Sequence, residues 1–315
     1  MMPAEYLAPQ LIDKLPAVRG RLEADVPLGR YTWFKVGGPA EVFFRPADTA
    51  DLAAFLQACP DDVAVTVFGN ASNMLVRDGG VEGVVVRLGN GFSSIDIDGD
   101  VLTIGAGAAD LSVARFARDQ GFVGLEFLAG IPGTMGGAVF MNAGAYDKDI
   151  TDVFVDCRVL DRAGTEHILG PAEMDFSYRR SALAEGMIVT SVRLKGMPGD
   201  GAEIDARMSD IQTARESTQP IRTPTGGSTF KNPPGTTAWK LIDDAGCRGL
   251  RQGSVTVSEQ HCNFLINDGD ASAADIEALG EDVRRRVHEA SGVTLEWEIR
   301  RIGIPVEPSV RKVTP

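Results

Sequence analysis

Glycine is unevenly spread along this chain, and the places where it clusters restrict what the chain can fold into. Gly37-Gly38, Gly69-Asn70-Ala71-Ser72-Asn73, Gly105-Ala106-Gly107 and Gly130-Ile131-Pro132-Gly133-Thr134-Met135-Gly136-Gly137 each follow or separate a strand-like run. Backbone without side chains can approach a ligand closely and turn several N–H groups toward one anion. Gly69 to Asn73 adds Ser and Asn donors directly after a strand, which suits a pyrophosphate. Gly133 to Gly137 falls where a helix begins, so the positive end of that helix is expected to face an anion. One such loop alone reads more simply as a turn between strands. Several in one half of the chain shift the balance toward a dinucleotide.

The common nucleotide motifs do not fit. Val101 to Gly107 followed by a helix looks like the opening of a dinucleotide fingerprint, but the third glycine position holds Asp110, an acid that would oppose a pyrophosphate. The Gly-Lys-Ser/Thr of a P-loop is missing. Both a Rossmann domain and a P-loop NTPase are therefore set aside.

With 315 residues, 43% hydrophobic and 24% charged, the chain has the composition of a globular protein with more than one domain. The 31 Lys and Arg against 44 Asp and Glu give a formal charge of -13, which argues against nucleic acid or an anionic membrane as partner. Arg284-Arg285-Arg286, the densest basic cluster, lies among Glu281, Asp282 and Glu289 and reads as a solvated helix face. No apolar run approaches the roughly 20 residues of a membrane span. Met1 to Gly20 lacks the pattern of a secretory signal, so a cytoplasmic location is expected. Cys59, Cys157, Cys247 and Cys262, with His167, His261 and His288, show no zinc spacing. Free buried thiols and no metal are expected.

Helix and strand patterns alternate from Ala47 onward. Helices are expected over 48–59, 110–120, 204–216, 239–245 and 273–290. Strands are expected over 63–68, 83–88, 101–104, 153–160 and 188–194, near Val255 and Phe264, and over 294–302. Gly196 to Gly201 is the best boundary between domains.

Taken in order, several stretches resemble the UDP-N-acetylenolpyruvoylglucosamine reductase family. They are Tyr31 to Gly38, Gly69 to Leu75, Gly124 to Thr134, Met141 to Tyr146, Ser177 to Ser181, Gly227 to Pro233 and Leu295 to Arg300, together spanning about nine-tenths of the chain. The resemblance implies an α+β chain. A two-subdomain FAD-binding region of the vanillyl-alcohol-oxidase (PCMH) type would occupy 26–197, a smaller α/β substrate-binding domain 203–304, and a disordered tail 305–315. No insertion carries an extra substrate-clamping tyrosine, as in the second, shorter form of the family.

The family's cofactor contacts fall here on Gly69, Asn70, Ala71, Ser72, Asn73, Gly130, Ile131, Pro132, Gly133, Thr134, Gly136, Gly137 and Ala138. The cofactor implied is non-covalent FAD, since neither cradle loop offers a His or Cys tether. The reaction implied is hydride transfer from NADPH to FAD and then to the enolpyruvyl double bond of UDP-N-acetylglucosamine-enolpyruvate. With no second dinucleotide motif, NADPH and the UDP-sugar would use one pocket in turn, in a protein favoured as a monomer.

Hydride arriving at the terminal carbon leaves carbanion character beside a carboxylate, so the site needs a cation or acid there and a proton donor nearby. The resemblance gives Arg179 the carboxylate, Glu298 a protonated or proton-sharing place beside it, and Ser228 the proton. Lys231 and Asn232 match the family's contacts to the substrate diphosphate. Read without the family, Arg179 and Arg180 are a surface pair, Ser228 a turn residue, and Glu298 a strand residue facing water like Glu296. Two other functions stay open on residues alone: an oxidase of a small alcohol or sugar, and a flavin-free UDP-sugar binding protein.

Overall fold

A computed structural model describes residues 10–306. Residues 1–9 and 307–315, including most of the expected tail and part of the stretch read for a targeting signal, lie outside the described residues.

The alternation read from Ala47 starts too late. Two strands come earlier, β1 (Arg21–Pro27) and β2 (Pro39–Arg45), paired antiparallel with Leu22 opposite Phe44. β1 carries Arg21, Glu23 and Asp25 along a sheet edge, so it lacks the apolar run that marks a strand. With β3 (Val65–Phe68) and β5 (Val81–Arg87) they form a sheet in the order β1-β2-β5-β3. β5 runs parallel to both neighbours. Both faces of β5 are covered, which is why Val84, Val85 and Val86 are all fully buried. Val84 and Val86 face one core with Leu52, Phe55 and Leu56 of α1 (Thr49–Ala58), and Val85 faces another with Phe43 and Phe68. Asp48 caps α1 by accepting the Asp51 N–H, as its position predicts.

The second sheet is antiparallel throughout. It holds β6 (Ile95–Asp98), β7 (Val101–Gly105), β8 (Phe154–Leu160), β9 (Glu166–Leu169) and β10 (Ile188–Lys195) in the order β9-β8-β10-β7-β6. Helices α2 (Asp110–Asp119) and α3 (Met135–Met141) bury Val113, Ala114, Ala117, Ala138 and Val139 in the core that this sheet shares with the first.

The remaining chain contributes α4 (Gly201–Thr218), α5 (Ala238–Asp244), a small antiparallel sheet and α6 (Ala273–Ser291). That sheet is β11 (Arg251–Gln252), β12 (Val255–Val257) and β13 (Leu265–Asn267). Ile276, Leu279, Val283 and Val287 repeat every three or four residues along α6 and fill a separate core. That core also takes Phe34, Val36 and Leu75 from the first part of the chain, while Ile204 and Met208 of α4 pack into the core of the two large sheets.

The strand expected over 294–302 shrinks to β14 (Arg300–Ile302), which pairs in parallel with β4 (Met74–Val76). Residues before it make only one bridge, Trp297 to Phe230. The segment they meet ends at Pro233-Pro234, which cannot extend a ladder because proline has no N–H to donate. Among the described residues, no helix is long and apolar enough to cross a membrane.

Candidate active site

Where these parts meet lies a cavity of about 710 Å³, within the usual range for small-molecule and cofactor sites. One wall is backbone. Every one of the thirteen residues read as cofactor contacts, Gly69 to Asn73, Gly130 to Thr134 and Gly136 to Ala138, lines it. The two loops press against each other: the Asn70 carboxamide reaches the Pro132 carbonyl at 3.5 Å. A Cβ added at Gly69 would stand 2.6 Å from Thr134 Oγ1, and one at Gly133 would stand 2.7 Å from Asp110 Oδ2. Neither position has room for a side chain unless its neighbour moves.

Two expectations about this wall need correcting. The start of α3 does not offer its first two amides to an anion, which leaves that role to Gly137. The Met135 N–H donates to the Ala108 carbonyl at 3.0 Å, and the Gly136 N–H to the Ala106 carbonyl at 2.8 Å. Asp110, read as an acid that would repel a diphosphate, is completely buried, and among the described residues no hydrogen bond of good geometry meets its carboxyl oxygens. Loss of water raises its pKa well above the ordinary carboxylate value, against a smaller opposing pull from the Gly133 backbone, so burial favours its uncharged form. The objection to a diphosphate therefore lapses, while the mixed and antiparallel sheets still exclude a Rossmann domain.

The facing wall is made of side chains from distant parts of the chain. Arg179 donates through Nε to Glu298 Oε1 at 3.0 Å, and both line the cavity. Arg179 sits at the tip of a tight turn with φ 57°, a left-handed conformation that is uncommon for a residue with a side chain. Ser177 and Arg180 close that turn with reciprocal backbone bonds. Buried Asn142 secures it by donating to the Ser177 carbonyl at 3.1 Å.

Glu298 is inward and largely buried, whereas Glu296 two residues earlier has a side chain 77% exposed. The reading that both face water fails for Glu298. Burial raises the Glu298 pKa, an effect only partly offset by the Arg179 charge and hydrogen bond. The Glu298 N–H donates to the Thr229 carbonyl at 2.9 Å, which fixes the Ser228 loop beside it, and Ser228 also lines the cavity. Asn263 clamps that loop through Phe230, accepting its N–H and donating to its carbonyl. Asn73 ties the two walls together: its carboxamide donates to the Glu298 carbonyl at 3.1 Å.

Asn232 is not brought into this arrangement, and Lys231 reaches it only through its charge, which acts on Glu298. Neither lines the cavity. Lys231 pairs with exposed Glu296 at 3.7 Å, and the Asn232 carboxamide oxygen accepts the Ala238 N–H at the start of α5. Conversely, the residue reading missed Trp33, Arg215, Gln219 and Arg300, all of which line the cavity. Trp33 and Arg300 lay inside stretches that resemble the family, Arg300 two residues from Glu298 on an inward-facing alternation. No local pattern marked the other two.

As a donor set, the cavity suits a dinucleotide cofactor: a glycine-lined backbone wall, a buried acid whose charge burial opposes, and guanidinium groups within reach. No His or Cys lines it.

Residues 40–170 match the model of an FAD binding domain, and residues 219–302 match that of the UDP-N-acetylenolpyruvoylglucosamine reductase C-terminal domain. The chain is 60% identical to a UDP-N-acetylenolpyruvoylglucosamine reductase of Paramagnetospirillum magneticum, over 93% of this chain and 95% of that protein. It is 57% identical to one of Parvibaculum lavamentivorans, over 98% and 99% respectively. A crystal structure of the reductase from Thermus caldophilus superimposes with a TM-score of 0.78 at 38% identity, covering 90% of this chain and 99% of that one.

Proposed function

The chain belongs to the UDP-N-acetylenolpyruvoylglucosamine reductase family, with its α+β fold of an FAD-binding region of the vanillyl-alcohol-oxidase type followed by a smaller substrate-binding domain, and from that membership we propose that it reduces UDP-N-acetylglucosamine-enolpyruvate to UDP-N-acetylmuramate, a peptidoglycan precursor, at the expense of NADPH. The observation that carries the proposal is the Arg179–Glu298 pair facing the glycine wall with Ser228 held alongside. The reading divides the chain at 26–197 for the FAD-binding region and 203–304 for the substrate domain.

The backbone of 69–73 and 130–138 would hold FAD, without a covalent bond because no His or Cys reaches the cavity. The chemistry supplied by bound FAD is hydride transfer, accepted from NADPH and passed on to the enolpyruvyl double bond. Arg179 orients the substrate carboxylate with its planar fork of donors and offsets the charge that develops beside it. Glu298, whose pKa burial raises, would share a proton with the same group, where a fully ionised carboxylate would repel it. Ser228 donates its hydroxyl proton to the carbon bearing the carboxylate. NADPH and the UDP-sugar occupy the one cavity in turn, and the protein acts in the cytoplasm as a monomer.

An anaerobic titration tests this reading. NADPH should bleach the flavin absorbance of the purified protein, and the enolpyruvyl UDP-sugar should restore it. A flavin that NADPH reduces but the UDP-sugar leaves reduced would overturn the substrate assignment.

A further inference from the structure

Behind Glu298, on the side away from the cavity, stands α6. Leu295, Trp297 and Ile299 pack into the core that α6 fills, while Glu298 and Arg300 line the cavity. Extended backbone produces this division, because neighbouring side chains leave it on opposite faces. α6 holds the segment at several points. Arg284 donates through Nε to the Leu295 carbonyl at 2.8 Å, and the Trp297 indole N–H donates to Glu281 Oε1 at 2.8 Å. Arg301 lies over the Trp297 ring at 4.5 Å and donates to the same Glu281 oxygen at 2.9 Å.

The Trp297 ring sits in a notch of the helix. Gly280 is buried in the middle of α6, and a Cβ there would stand 2.5 Å from Trp297 Cζ2 and closer still to Cη2. Glycine weakens a helix interior relative to alanine, and no left-handed backbone calls for it at this position. What it provides is room for the outer ring of the indole. Phe230 packs on the same ring, with centroids 5.1 Å apart.

α6 is in turn fixed to the cofactor wall. Asp78 accepts the Ala273 and Ala274 N–H groups, both at 2.9 Å, and Arg77 grips Glu277 through Nε at 3.1 Å and Nη2 at 2.8 Å. Arg77 and Asp78 directly follow β4, which continues from the 69–73 loop. The bonds from Thr229 and Asn73 reach the Glu298 backbone from its sides and decide which face the side chain takes. Its depth, toward or away from the cavity, depends on what stands behind it. A core tryptophan commonly does no more than fill space. Seating on a helix tied to the cofactor loop gives this one a second task.

We propose that Trp297, seated on Gly280, is a positioning residue that sets how far Glu298 projects into the cavity. The role rests on the proposed reading of Glu298 as the group beside the reacting carboxylate.

The test compares FAD-loaded wild-type protein with Gly280→Ala, Trp297→Phe and the double variant. Flavin content, both half-reactions in the stopped-flow, and steady-state kinetics are measured on each. Gly280→Ala should keep its flavin and bleach with NADPH at the wild-type rate. Its kcat with the UDP-sugar should fall about 10- to 100-fold, the effect of a reacting group misplaced by about 1 Å, while KM stays within about threefold. Trp297→Phe, which empties the notch and loses the N–H bond, should lower kcat by a smaller factor, about threefold to tenfold. In the double variant the alanine methyl takes the space of the lost outer ring, so its kcat should exceed that of either single variant. Wild-type kcat in Gly280→Ala, equal slowing of both half-reactions, or a double variant no better than Trp297→Phe would overturn the role. If Gly280→Ala does not fold, the comparison of Trp297→Phe with the double variant decides it. A wild-type flavin that the UDP-sugar fails to reoxidise would end the reductase reading and this role with it. Wild-type turnover left unchanged by Gly280→Ala would end the role alone.

Discussion

The two walls of the cavity are built on opposite principles. One is backbone from two contiguous loops, 69–73 and 130–138, and works because side chains are missing from it. The other is made of side chains at positions 179, 228 and 298, gathered by a tight turn, a clamped loop and an extended segment before β14. A wall of absences should be damaged by adding atoms, and a wall of side chains by removing or recharging them. The two kinds of damage should also differ in what they affect: retention of the cofactor on one side, a single chemical step on the other.

Removing the proposed proton donor should give the largest effect. Ser228→Ala should slow flavin reoxidation by the enolpyruvyl substrate by roughly 10²- to 10⁴-fold, the range for a lost general acid. Bleaching by NADPH in the stopped-flow should be unchanged. Equal slowing of both halves would make Ser228 a structural residue and blur the contrast between the walls.

Next comes Glu298→Gln, which keeps shape but cannot share a proton. It should lower kcat by about 10²-fold, within the range for acid–base groups, with little change in KM. Wild-type turnover should also decline as pH rises through the raised pKa of Glu298, a limb that the Gln variant lacks. The exposed neighbour provides the control. Glu296→Gln should stay near wild-type activity and within about 0.5 kcal/mol in stability. Similar mild effects from both would leave Arg179 alone with the carboxylate.

On the backbone wall, Gly133→Leu would drive a side chain into the Asp110 carboxyl. Overpacking of this kind costs about 1–3 kcal/mol, so FAD should bind roughly 10- to 100-fold more weakly by fluorescence titration. The variant protein that still carries flavin should run both half-reactions normally. Wild-type flavin affinity in a folded variant would show that this wall tolerates added atoms.

The smallest effect concerns stability. Glu298 has a raised pKa in the folded chain, so the folded state holds its proton longer than the unfolded chain does. Its contribution is present at pH below the ordinary glutamate value and is lost as pH rises through the raised value. Thermal midpoints of wild type and Glu298→Gln, compared from pH 4 to 8, should diverge in that direction, with wild type losing relative stability as pH rises. A gap that widens in favour of wild type would mean that Arg179 outweighs burial.

The contrast between the walls also explains what the sequence revealed. Cofactor loops are local: glycine spacing after a strand is visible in one stretch, and all thirteen loop residues reached the cavity. Arg179, Ser228 and Glu298 became legible only through family motifs, because what unites them is tertiary. Glu296 and Glu298 look alike in sequence, and only the pairing of 229–231 with 296–298 turns one in and the other out. Asp110 was misjudged because its charge state depends on burial, which spacing does not report. Arg215 escaped because its place depends on α4 docking against the cradle loop through Tyr146 and Ile211. β1 went unseen for the opposite reason: its partner, not its own composition, makes it a strand.

The parallel pairing of β14 with β4 has a consequence for how the protein comes into being. Chains emerge from the ribosome at about 5–20 residues per second, and the N-terminal portions collapse first. Here the first sheet can form early, but Glu298 and the partner of β4 are translated long after β4 itself. The nascent chain is therefore chemically incomplete until residue 300 has been made, and a premature stop before it yields a fragment that retains the glycine loops but lacks the strand that stitches the late segment to β4.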